Sequence, residues 1–295
     1  MDKRYQLQFS VETEGQLLRE AIASWGISKR ALTAIKFDGG AILVNGEEKN
    51  VRYTLQRGDV VTLVFPLEEV SEGLVAEHKP LNIIYEDDAV LVLDKPAYMS
   101  TIPSREHPTG SVANYVCGYF KQQQLASTVH IVTRLDRDTS GLMIIAKNRH
   151  IHHLMSEQQK QHKVHREYEA LVEGIVEEDT QSIIAPIGRK ETSIIEREVR
   201  EDGQFAHTDV TVLSRGESIS RVRLKLHTGR THQIRVHMAS IGHPLVGDEL
   251  YGGSRELLDR QALHCCYVHF THPLTGEVLE FNSELPQEFL TILTM

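Results

Sequence analysis

The sequence predicts an α+β protein: a mixed, largely antiparallel sheet domain preceded by a small N-terminal α+β unit. Strand candidates are frequent from Val90 onward but do not alternate regularly with helices, which argues against a doubly wound parallel sheet. Two of them alternate apolar with polar residues, as half-buried strands do. Val222, Leu224 and Leu226 interleave with Arg221, Arg223, Lys225 and His227, and Cys266, Val268 and Phe270 with Cys265, Tyr267 and His269. The first 66 residues carry a helix and strand pattern of their own, and the acidic, weakly patterned stretch 67–79 reads as a linker to a domain spanning 80–295.

In the N-terminal unit, Leu17, Leu18, Ala21, Ile22 and Trp25 form one stripe of a helix expected over Gly15–Trp25, ended by Gly26. Ser28 is a good N-cap for a second helix to Phe37. Strands follow at 42–44 and 60–64, the first leading into the Asn45-Gly46 turn. Beyond the linker, strands are expected at 90–93, 142–146, 168–172 and 210–213. Thr231 is the expected N-cap of a helix running to Ser240, closed by Gly242 and Pro244. Its packed stripe is Ile234, Met238 and Ile241, with His232 and Arg235 together on an adjacent face. Gly229-Arg230 before it would let backbone donors converge on a carboxylate or phosphate.

The chain is 295 residues long, with 40% hydrophobic and 25% charged residues, the composition of an ordinary globular protein with a full core. It has no apolar run long enough to cross a membrane and no signal segment at its start, and its three cysteines imply no disulfide framework. A reducing cytoplasm and a monomer are the expectations. The net charge of −9 weighs against a nucleic-acid partner until its distribution is considered. No Asp or Glu occurs from Ser218 to Gly247, a stretch that carries Arg221, Arg223, Lys225, Arg230 and Arg235. Thr139–Ser156 and Ala21–Phe37 are also free of acids, the latter holding Lys29, Arg30 and Lys36. Three such segments point to a phosphate-bearing partner.

Arg134-Leu135-Asp136-Arg137-Asp138-Thr139-Ser140-Gly141 puts carboxylates and guanidiniums at the mouth of an apolar run. In extended geometry Arg134, Asp136 and Asp138 would share one face, either as a reactive group or as an ion pair closing a strand. The sixteen histidines show no metal-site spacing, and no phosphate loop, dinucleotide fingerprint or serine elbow occurs. No metal and no cofactor are expected.

The octet followed by Ala146-Lys147 resembles the signature of the pseudouridine synthases that act on ribosomal and transfer RNA. Arg166-Glu167-Tyr168-Glu169-Ala170-Leu171-Val172-Glu173-Gly174 is similar to that family's second motif. Gly229–His237, with Gly242–Asp248 and Leu250-Tyr251-Gly252, resembles the third, and Ala262-Leu263-His264 with His272–Gly276 its closing strand. Residues 1–66 resemble a small RNA-binding domain shared by a ribosomal protein and tyrosyl-tRNA synthetases, through the helix pair, Ser28-Lys29-Arg30 and Leu55-Gln56-Arg57-Gly58-Asp59. Thr133 stands where this family usually has His, and Arg166 where it usually has Lys.

The resemblance implies isomerisation of specific uridines in structured RNA, with ribosomal RNA favoured over transfer RNA. Asp136 would be the reacting carboxylate, acting as nucleophile or base, with no second acid to activate water. Arg235 would pair with it, Tyr168 would stack on the base, and Arg134 would help hold the nucleotide out of its helix. Arg230 and His232 would bind substrate beside them. Lys29, Arg30, Lys36 and the strand Arg221–Lys225 would take the RNA backbone. Two rival readings are a non-catalytic ribosome-assembly factor, which would lack one of Asp136, Tyr168 or Arg235, and a carboxylate glycosidase, which would need a second acid.

Overall fold

The computed structural model describes residues 4–295. The N-terminal unit comprises β1 (Gln6–Ser10), α1 (Leu18–Ser24), α2 (Lys29–Phe37), β2 (Ala41–Val44), β3 (Glu47–Glu48) and β4 (Val60–Val64). Its sheet runs β1-β4-β2-β3, all antiparallel, over a core that includes Leu18, Ile22, Ile35, Val44, Leu55 and Leu63. Ser28 caps α2 as expected, its hydroxyl accepting from the Ala31 amide. Helix α1 starts at Leu18 rather than Gly15. Gly15 instead donates its amide to the Leu55 carbonyl at 2.9 Å, and Leu17 bridges to Thr54, so tertiary pairing takes the residues that periodicity alone assigns to the helix.

The remainder begins with β5 (Ile83–Glu86), β6 (Val90–Lys95), α3 (Val112–Gln122), β7 (His130–Ile131), β8 (Ser140–Ala146), α4 (Arg149–Lys160) and β9 (His165–Glu173). It continues through β10 (Thr180–Ile184), β11 (Ile187–Arg189), β12 (Arg197–Val199), β13 (His207–Arg215) and β14 (Ile219–Leu226). After α5 (Gln233–Ser240) come β15 (Leu263–Thr271), β16 (Val278–Asn282) and α6 (Gln287–Leu293). The main sheet has the order β10-β13-β14-β9-β15-β8-β6-β5, and only the β15–β8 pairing is parallel. The large, mostly antiparallel sheet expected from the sequence is therefore present. All seven residues of β8 are buried, which explains why its sequence shows no alternation. No helix among the described residues is long and apolar enough to cross a membrane.

The stretch 67–79 has no regular structure, yet it is held along the larger unit. Glu68 pairs with His130 at 2.5 Å and accepts from the Arg149 amide at 2.7 Å, and Ser71 contacts Thr128 at 3.1 Å. Further on, the Asn114 amide group donates to the Val75 carbonyl, and the Gly118 position of α3 lies against the backbone of Glu77. A Cβ at Gly118 would stand 1.9 Å from the Glu77 carbonyl oxygen, so only glycine admits this approach. Gly118→Ala is expected to cost about 1–3 kcal/mol and to open 67–79 to protease. Urea denaturation and limited proteolysis measure both, and wild-type stability with an uncut strap would refute the packing role.

Candidate active site

The turn that carries Asp136 is held almost entirely through its carbonyls. Thr101 donates its hydroxyl to Leu135 O at 2.6 Å, and the Thr139 amide donates to Asp136 O at 3.2 Å. Buried Lys95 donates to Arg137 O at 3.0 Å, while buried Arg260 donates to Asp138 O at 2.9 Å. Four consecutive acceptors are thus satisfied by groups from β6, the following loop, the turn itself and the approach to β15. This corrects the extended reading of Arg134, Asp136 and Asp138: the chain turns at 137–138, and β8 begins only at Ser140. Arg134 stays exposed on the cleft, whereas Asp138 turns inward, with one carboxylate oxygen buried and without a hydrogen-bond partner. Burial pushes the Lys95 ammonium down to about 7, with Asp138 and Asp136 pulling the other way. The inward carboxylate of Asp138 thereby helps a buried cation keep its proton.

Asp136 looks into a cleft of about 980 Å³ that also exposes Tyr168, Arg134, Arg230, His232 and Arg235. The structure therefore brings six of the sequence-predicted site residues together. Lys29, Arg30 and Lys36 are exposed on α2 and are not part of this cleft. The cleft lining holds seven Arg or Lys side chains and one carboxylate, that of Asp136. In a chain of net charge −9 this is a strong local inversion of sign.

Arg235 reaches Asp136 at 3.4 Å, but its main partner is one the sequence reading gave no role. Asp248, itself buried, takes two hydrogen bonds from the Arg235 guanidinium, both at 2.7 Å. Burial disfavours the charge on Arg235, and Asp248 more than restores it. Tyr251 completes the support: its ring lies 4.9 Å beneath the guanidinium, and its hydroxyl meets His232 Nδ1 at 2.7 Å. Burial also pushes His232 down, with Asp136 at 3.8 Å pulling it only partly back. A neutral His232 leaves Arg235 as the cation that faces Asp136.

Thr231 is not the N-cap of α5. His232 occupies that place in a left-handed conformation, φ 57°, without a side-chain cap. Gln233 replaces the expected cap, accepting from the Arg230 amide at 2.9 Å and the Thr228 hydroxyl at 2.8 Å. The Arg230 amide is therefore committed internally, and its guanidinium Nε donates to the Phe205 carbonyl. Backbone strain of this kind at His232 costs about 1–3 kcal/mol and aims the ring and Arg235 at one point.

Tyr168 is buried on β9, facing the cleft two residues along from Arg166. Burial holds its phenol far above the usual range, so it works as a neutral donor and a ring. The basic strand is placed otherwise than expected. Arg221 and Arg223 lie on the opposite face of the sheet from Tyr168, both ion-paired to buried Glu169, at 2.6 and 2.9 Å. Of that strand's cations only Lys225, at its end, reaches the cleft.

One cluster among the described residues has metal-ligand composition: His207, Asp209 and His227. Both imidazoles bond the two oxygens of Asp209, at 3.1 and 2.6 Å, and Ser182 adds a third contact. Burial resists ionisation of Asp209, but the bonds from Ser182 and His227 prevail and bring it to about 2. The carboxylate is fully used in orienting two rings, which is a sufficient reason for the cluster.

Residues 89–240 match the family model described as RNA pseudouridylate synthase. The RNA pseudouridine synthase YjbO of Bacillus subtilis is 50% identical over 276 residues, covering 94% of this chain and 98% of its own. Ribosomal large subunit pseudouridine synthase D of Pasteurella multocida is 35% identical over 295 residues, covering 95% and 90%. Among solved structures, human RNA pseudouridylate synthase domain containing 1 aligns with a TM-score of 0.58 at 28% identity, covering 70% of this chain and 84% of that one.

Proposed function

Because the chain belongs to the RNA pseudouridine synthases, and so isomerises uridine in RNA, we propose that Asp136 is its reacting carboxylate and large-subunit ribosomal RNA its substrate. The observation that carries this reading is the cleft in which Asp136 is the sole acid among seven cations, with a buried arginine beside it. Hydrolysis of a glycosidic bond ordinarily takes two carboxylates, one to activate water. Asp248, the other acid held by Arg235, has both oxygens tied to it, and neither Asp248 nor Asp138 lines the cleft, so nothing there competes with Asp136 for that role. The same count weighs against a carboxylate glycosidase.

Arg235 pairs with Asp136 and orients it toward the ribose, while the Tyr168 ring supports a uracil turned out of its stack. Once the glycosidic bond has broken, the released base must rotate and rejoin through carbon. A buried floor of Tyr168, Leu135 and Ile234 retains it and limits water. None of these steps calls for a cofactor. Arg134, Arg230 and His232 line the path of the strand, and the exposed Lys29, Arg30 and Lys36 give residues 1–66 a face for duplex backbone. The division of labour is an RNA-binding domain at 1–66, the strap 67–79 and a catalytic domain at 80–295, acting as a cytoplasmic monomer.

Purified chain incubated with large-subunit ribosomal RNA, and separately with bulk transfer RNA, tests the substrate. Pseudouridine is expected in the former, read by nucleoside chromatography, and mapping total RNA from cells with and without the gene locates the position. Modification of transfer RNA alone would replace the ribosomal reading. Absence of modification in both would overturn it.

A further inference from the structure

Every buried or half-buried arginine near the sheet centre has its carboxylate, with one exception. Arg235 has Asp248, Arg221 has Glu169, which the exposed Arg223 shares, and Arg260 has Glu288. Arg166 has none. It lies on β9, half-buried, facing the cleft beside Tyr168, and its Nε is buried without any hydrogen-bond partner. No ion pair is formed by it among the described residues. The guanidinium rests over the Gly229 backbone, where a Cβ would come within 2.9 Å of one of its Nη atoms. Glycine thus opens the space that the fork occupies.

A half-buried guanidinium without a counter-ion is costly to a folded chain, and proteins normally supply one. We propose that Arg166 is the receptor for a backbone phosphate of the target nucleotide, an anion site the protein leaves open and the RNA fills. The chemistry fits the group: a planar fork of donors matches two phosphate oxygens at once, which a point charge does not. The position fits as well, since Arg166 is two residues from the ring proposed to carry the base, on the same face of the same strand. The inference rests on the reading of the cleft as an RNA site and adds the contact that fixes the nucleotide's phosphate.

The test compares wild type with Arg166→Met, Arg166→Lys and Gly229→Ala, measuring RNA affinity across a salt series and melting temperature without RNA. Arg166→Met is expected to weaken binding about tenfold and to flatten the plot of log affinity against log salt by about 0.7–0.9, the value of one phosphate. Its melting temperature is expected to equal or exceed that of wild type, because an unpaired charge has been removed. Arg166→Lys should keep the slope but lose affinity, and Gly229→Ala should weaken binding by displacing the fork with its charge intact. An unchanged slope in Arg166→Met would overturn the proposal, pointing to a neutral acceptor such as a uracil carbonyl. So would a large fall in melting temperature, which marks a structural role. If wild type itself binds no RNA, the failure lies with the parent reading instead.

Discussion

Asp136→Asn is expected to lower pseudouridine formation at least about a thousandfold while leaving RNA affinity within a few-fold of wild type. The substitution keeps the shape of the side chain and removes its capacity as nucleophile or base, a role worth about two to four decades for proton transfer alone. Binding is spared because the seven cleft cations are untouched and one of them, Arg235, keeps its second carboxylate. The turn is spared too, since its anchors grip the backbone and not the carboxylate. Single-turnover kinetics and filter binding on the same preparation separate the two effects. Wild-type turnover in this variant would remove Asp136 from the reaction, and a parallel loss of binding would make it a docking residue.

Asp248→Asn should damage both stability and rate. Breaking a buried pair from one side leaves a desolvated charge behind, at about 3–5 kcal/mol, and Arg235 is only 9% exposed. For a chain of this size that corresponds to a drop of roughly 10 °C in melting temperature. Asp136 would then be the sole carboxylate within reach of Arg235, and a guanidinium drawn fully onto it would pull it from the ribose. A fall in kcat of about a hundredfold with a near-constant KM is the expected signature. Asp248→Glu, which keeps the charge, should recover part of both losses. Calorimetry showing an unchanged melting temperature, or kinetics showing full kcat, would mean that Asp136 orients Arg235 rather than the reverse.

Much of this was legible in the sequence, for reasons that differ between elements. Strand β14, and β15 from Cys266 onward, announce themselves because alternation is a direct record of one buried face. Residues 263–266 are all buried, so Cys265 does not lie on an exposed face as the alternation suggested. Ser28 was legible because capping is local. The Asp136 turn was not, since alternating charges in Arg134–Asp138 mimic a strand, while the groups that bend it, Lys95, Thr101 and Arg260, lie 41, 35 and 124 residues from Asp136. Asp248 left a signal that was available: it is the first acid after thirty residues without one, and a buried arginine in that stretch needs a partner. The basic strand misled because charge counted along the chain cannot tell which face of a sheet carries its counter-ion, and Glu169 sits on the neighbouring strand.

The capture of four successive carbonyls has a consequence in time. Residues 135–138 emerge from the ribosome long before Arg260, and β15, the parallel partner of β8, emerges with it. Contacts so far apart in sequence form late and slowly, after local units have already condensed. A nascent chain can therefore complete its N-terminal sheet while the loop around Asp136 is still unshaped. The geometry proposed for reaction arises only in molecules that have made Arg260 and β15, so products truncated before them would retain a basic surface without a positioned Asp136 carboxylate.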